Sequence, residues 1–256
     1  MKESGSLFLQ HLKNEATILI DSDGMLRSFL NSCELISPME SEIAKCEATL
    51  RFVLSCPQSP DLTAWKADFL FCVSRDYLIK RIARTGRGIF ELEMIGRACQ
   101  ELFDLRPEEF NPLRELRKAK SDYRSEKSPN SRIRFEIDAW FSVLMRRFAV
   151  DFNGVSEFCF VRDAKSFSSY RFNSHYERLR FLEGLYLVAC AKGLIHPNHE
   201  LLMKHIRQPN LYGSSRQFKE TRIQKYITDV VDRLSGSSVR PGISLPRRGV
   251  FIANVG

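Results

Sequence analysis

Apolar residues recur at spacings of three and four along most of the chain, the period of helices packed on one face. Ile43, Cys46, Leu50 and Val53 form one such stripe, which stops at Cys56-Pro57 because proline cannot continue the helical hydrogen-bond ladder. After Ser59-Pro60-Asp61, a cap and turn signal, Leu62, Trp65, Phe69, Val73 and Tyr77 predict the strongest helix, ended by Gly86 and Gly88. Leu92, Ile95, Cys99 and Leu102 mark a third helix closed at Arg106-Pro107. A fourth runs from about 107 to 124, with Phe110, Leu113 and Leu116 inward and a very basic outer side. Four helices with short links predict a bundle.

Polar residues 124–131, with Pro129 among them, break the period and form the best internal boundary. Beyond it, Ile133, Ile137, Trp140, Phe141, Leu144 and Phe148 predict a long helix whose wide apolar face serves a second core or a dimer seam. Residues 151–170 lose the pattern and read equally as strand or buried loop. Helical periodicity resumes over 174–192, from Pro197-Asn198 to Ile206, and over 215–234. The last stretch carries Arg240, Arg247 and Arg248 with two prolines and no acid, the composition of an extended basic arm. The expected fold is mainly α, a bundle of about seven to eight helices with a short N-terminal strand. Its units are 1–36, a helical bundle 37–126, a second helical region 132–235 packed on the first, and a basic tail 236–256.

The chain has 256 residues, 43% of them apolar, enough for a substantial core. No run approaches the roughly 18 apolar residues of a membrane helix, and Met1-Lys2-Glu3-Ser4-Gly5 is no hydrophobic signal segment, so the expected location is cytoplasmic with no membrane partner. Seven cysteines stand singly, without Cys-x-x-Cys spacing, and read as reduced small hydrophobes. A net charge of +8 and a pI near 9.2 admit an acidic partner such as RNA, a nucleotide or another phosphorylated ligand.

The segment Phe8-Leu9-Gln10-His11-Leu12-Lys13-Asn14-Glu15-Ala16-Thr17-Ile18-Leu19-Ile20-Asp21-Ser22-Asp23-Gly24 reads as an amphipathic helical turn feeding a short apolar strand. In this form it resembles the last helix and strand of minimal, antitoxin-like nucleotidyltransferase domains. The resemblance implies that the catalytic half of such a domain is absent and that the helices downstream correspond to a HEPN-like or kanamycin-nucleotidyltransferase C-terminal bundle. Nucleotidyltransferase chemistry needs a Gly-Ser turn and metal-binding carboxylates. Gly5-Ser6 and Asp21-Ser22-Asp23 imitate these, but Asp21 and Asp23 also suit a cap and a turn.

Ribonuclease members of the HEPN group carry arginine and, some five to seven residues on, histidine on one helix, the arginine neutralising phosphate while the histidine moves a proton. The resemblance places Arg117 at the arginine, but Asp122 or Tyr123 stands where histidine is needed, and a phenol with pKa near 10 is a poor shuttle. The expected phosphate- or nucleic-acid-binding set is therefore Arg75, Arg114, Arg117, Lys118, Lys120, Tyr123 and Arg124; the alternative is a solvated basic helix face. Arg171 and His175 form a second arginine–histidine pair, which a cap at Ser174 also explains. His196, His199 and His205 are the one histidine cluster, at a helix start and without a ligand-rich neighbourhood, so no metal or other cofactor is expected.

Three functions follow: a non-catalytic module binding a nucleotide, RNA or partner protein; an enzyme, either a HEPN-type ribonuclease or a partner-dependent nucleotidyltransferase; and a pure interaction protein. A homodimer through the long helices is compatible with each.

Overall fold

The structure, a computed structural model, describes residues 7–33, 39–125, 127, 130–152, 175–209 and 222–230. It is mainly helical, with ten α-helices and no strand among the described residues. These are α1 (Leu7–Glu15), α2 (Met25–Asn31), α3 (Glu40–Ser55), α4 (Thr63–Ala83), α5 (Leu92–Phe103), α6 (Asn111–Arg124), α7 (Ile133–Phe148), α8 (His175–Ala191), α9 (His199–Arg207) and α10 (222–230). The two helices beyond the eight that apolar period outlines are α1, where the sequence predicted a helical turn, and α2, for which it predicted no element.

The N-terminal strand is absent from its expected place. Residues 16–21 are irregular, and Leu19 and Ile20 are 88% and 86% exposed. An apolar triplet becomes a strand only with a neighbour to take its backbone donors and acceptors, and the described residues supply no ladder there. Asp21 instead caps α2, its carboxylate accepting from the N–H groups of Leu26 (3.1 Å) and Arg27 (3.0 Å), while Gly24 turns the chain at a φ of 64°. The helix α1 is tied to the body by Asn14 Nδ2, which donates to the Gly88 carbonyl at 2.8 Å, and by Glu15, which accepts from the N–H groups of Phe90 and Glu91.

At the centre lies α4, packed against α3, α5, α6, α7 and α8. The sequence showed one stripe on it, but Leu70, Phe71, Leu78, Ile79 and Ile82 are buried on its other sides, as a helix surrounded by helices requires. A 3₁₀ turn over Pro60–Leu62 precedes it, and Gly86 follows at a φ of 84°. Gly184 lets α8 approach α3 closely: a Cβ there would lie 2.6 Å from the Phe52 ring, which is itself stacked on Phe181 at 4.0 Å.

The apolar face of α7 is buried within this chain's own core, Trp140 donating its ring N–H to Ser74 Oγ at 2.8 Å, so the face expected to serve a core or a dimer seam serves a core. One continuous apolar cluster joins residues from Met39 to Val230. Among the described residues no helix is long and apolar enough to cross a membrane. The strand-or-loop alternative for 151–170 and the basic arm of 236–256 lie largely or wholly outside the described residues, as does Gly5-Ser6.

Candidate functional site

Successive residues of a helix turn by about 100°, which places Arg117, Lys120 and Arg124 within roughly 60° of one another on α6 and Tyr123 roughly 120° from Arg117. The surroundings follow that division. Arg117 is exposed and forms no hydrogen bond or ion pair with a described residue. Lys120 is half-buried, its ammonium 3.3 Å from Cys72 Sγ and 4.8 Å from the centre of the Phe71 ring. Arg124 gives Nε to Asp68 Oδ1 at 3.2 Å and lies over the Tyr176 ring at 4.5 Å. Lys120 and Arg124 share one wall of a cavity of about 360 Å³ bounded also by α4 and α8.

The other expected residues are engaged elsewhere. Arg75 donates to the Phe90 carbonyl at 2.6 Å, holding the segment before α5. Arg114 grips Glu93 with three hydrogen bonds of 2.7 to 3.1 Å, depressing that carboxyl's pKa, and Lys118 pairs with Glu115 on its own helix. Tyr123 faces the core, where its hydroxyl donates to the Ile206 carbonyl and accepts from Arg180 Nη1 at 3.3 Å. Burial pushes that hydroxyl's pKa well above the ordinary phenol value. Arg75 and Tyr123 therefore bond to different parts of the molecule while Arg117 is exposed, and the three do not form one phosphate cradle.

Beneath the cavity lies a buried ionic network that sequence reading did not find. Asp68 of α4 and Arg180 and Glu183 of α8 are all buried. Arg180 Nε is 3.2 Å from Asp68 Oδ2 and donates to Tyr176 Oη at 2.9 Å; its Nη1 donates to Glu183 Oε2 at 2.6 Å. The Tyr176 hydroxyl donates to Asp68, and Trp65 Nε1 donates to Glu183 at 2.8 Å. Burial raises the Asp68 carboxyl above the usual range, with Arg180 and Arg124 opposing the shift. The legible signal was a charged i,i+3 pair inside the near-continuous apolar run Leu179-Arg180-Phe181-Leu182-Glu183-Gly184-Leu185, a context that a solvated face does not have.

The remaining candidates separate. Asp21 is a helix cap, as above. His175 is exposed at the start of α8, and Arg171 lies outside the described residues. His199 Nδ1 is 2.8 Å from Tyr186 Oη, and His196 accepts the Asn198 N–H at 2.9 Å, so these two histidines organise the turn into α9. Among the described residues no group of three or more histidine, cysteine, aspartate or glutamate side chains is placed to hold a metal. The six cysteines among the described residues are free thiols, and burial pushes Cys56 and Cys99 up to about 12, far from reactive values.

Comparison of the chain with protein-family models, with curated proteins and with solved structures finds no match. The class defined by the fold is a helical bundle, and its candidate site is the cationic edge of α6 together with the cavity beside it.

Proposed function

We propose that this chain is a non-catalytic helical module of the nucleotidyltransferase-associated kind that binds RNA through its phosphate backbone, using Arg117, Lys120 and Arg124. The observation that carries the reading is that these three cations occupy one narrow arc of α6 and that Arg117 and Lys120 make no ion pair with a described residue, whereas Arg114 and Lys118 are paired with carboxylates and Arg124 gives only Nε to Asp68. An ammonium has three donors and a guanidinium five, so Lys120 and Arg124 have donors beyond the single hydrogen bond that each makes to a described residue. The reading is non-catalytic because Asp122 or Tyr123 stands where the histidine is needed, and Tyr123 is buried with its hydroxyl on the Ile206 carbonyl.

The test is fluorescence anisotropy with a labelled single-stranded RNA across a salt series. Three neutralised phosphates give log K against log salt a slope of about −2. Replacing Arg117 by Glu shallows the slope by about one unit and weakens binding by about tenfold or more. Absence of salt-dependent affinity overturns the proposal.

A further inference from the structure

We propose that the α1–α2 unit is a self-association surface, through which two copies of this chain pair about a two-fold axis. The proposal stands apart from the RNA reading and uses none of its residues.

The surface is apolar and uncovered within the chain. Leu19 and Ile20 are 88% and 86% exposed, and Met25, Leu26 and Phe29 of α2 are 72%, 45% and 42% exposed. The two stretches form one region, because the Asp21 carboxylate accepts from the N–H groups of Leu26 and Arg27 and so ties residues 19–21 to the first turn of α2. On α2 the three side chains fall within about 100° of arc, and Leu30, about 40° further round, is its one buried residue. The inner side is tied to α1, where Lys13 Nζ donates to the Asn31 carbonyl at 3.1 Å and Gln10 Nε2 to that of Cys33 at 2.5 Å. Isolated helices below about 12 to 15 residues are marginal in water, and α2 has seven residues of which one is buried. A cover over Met25 and Phe29 supplies the packing that so short a helix needs.

Charge and area identify the cover as a second copy. The chain carries a net charge of +8, yet the charged residues between 18 and 29 are Asp21, Asp23 and Arg27, and Asp21 serves as the cap. Asp23 and Arg27 remain, one of each sign, both exposed and neither bonded through its side chain to a described residue. A strongly acidic or strongly basic partner would gain from one of them and be repelled by the other. A two-fold axis near Met25 sets Asp23 of each copy opposite Arg27 of the other, because 23 and 27 lie equally far along the chain from 25. Such rim pairs fix register and exclude wrong partners more than they add affinity. The five apolar residues expose on the order of 650 Å² in each copy, and doubling that reaches the range of stable specific interfaces, roughly 1,200 to 2,000 Å² in total. The apolar face of α7 is occupied by the core, so pairing falls to α2 rather than to the long helices.

The experiment is analytical ultracentrifugation of the full chain up to about 100 μM. A dimer with a dissociation constant in roughly the micromolar range is expected. Ile20→Asp is expected to weaken it at least about a hundredfold. Below the dissociation constant its thermal unfolding stays within a few degrees of the parent, because that side chain is exposed in a single copy. Asp23→Arg and Arg27→Asp each oppose like charges across the seam and are expected to weaken pairing about tenfold. Mixing these two variants restores it, since the mixed dimer regains both ion pairs. A chain that stays monomeric at the highest concentration overturns the proposal, and so does a dimer that Ile20→Asp leaves unchanged or a mixture that fails to recover. A monomer that Ile20→Asp destabilises beyond a few degrees has its patch covered from within the chain, and one that floats with vesicles of phosphatidylcholine and phosphatidylserine gives the patch to a membrane; either result overturns the proposal.

Discussion

Glu109 shows how one side chain's behaviour depends on neighbours far along the chain. Burial opposes its ionisation, yet the Arg106 N–H at 3.0 Å and Arg147 Nε at 2.9 and 3.1 Å outweigh that cost and hold its pKa down to about 2. A carboxyl whose folded pKa is depressed adds stability above its unfolded value, near 4.5, and loses it as pH falls toward 2. Urea unfolding followed across that window is expected to show a steeper loss in the parent than in Glu109→Gln; parallel curves would remove the assignment. In the sequence the Arg106-Pro107 step closed one helix and opened the next, but Arg147, 38 positions beyond Glu109, was not recognisable as its partner. Tyr123 is the converse case. Its distance along the sequence from Arg117 suited a shared phosphate site, whereas its angle around α6 turns it to the core.

The end of α3 and the body of α4 are coupled by a lysine. Cys56 adopts an extended conformation before Pro57, leaving the last carbonyls of α3 without helical partners, and Lys66 Nζ donates to those of Leu54 (3.1 Å) and Cys56 (2.9 Å). Burial lowers the pKa of this amine, while the helix C-terminus favours its charge. Lys66→Met keeps most of the stem and removes the donors. It is expected to cost about 1 to 3 kcal/mol in denaturant unfolding and to speed amide exchange in the last turn of α3; unchanged exchange there would show that another group satisfies these carbonyls. Helix ends were legible because proline and glycine act locally, as at Pro57 and Gly86. The strand expected at residues 18–20 was not secured, because strand formation depends on a neighbouring chain segment that no local pattern names.

Across the whole molecule, Arg180 joins four helices through Asp68 and Tyr176 beside the cavity, Glu183 and Trp65 beneath it, and Tyr123 with its bond to the end of α9. Arg180→Met leaves two buried carboxylates short of a cation and is expected to cost about 3 to 5 kcal/mol, read from urea midpoints. A loss below about 1 kcal/mol would mean that the carboxylates take up protons or reach solvent instead. The sequence by itself determined that the chain is helical, where most helices begin and end, and that Trp65 and Trp140 belong to the core, because periodicity and helix-breaking residues act over a few positions. Tertiary structure alone decided which charges are buried and which α6 cations keep free donors. Pairs such as Trp65 and Glu183 stand 118 positions apart, and their meeting depends on how whole helices pack.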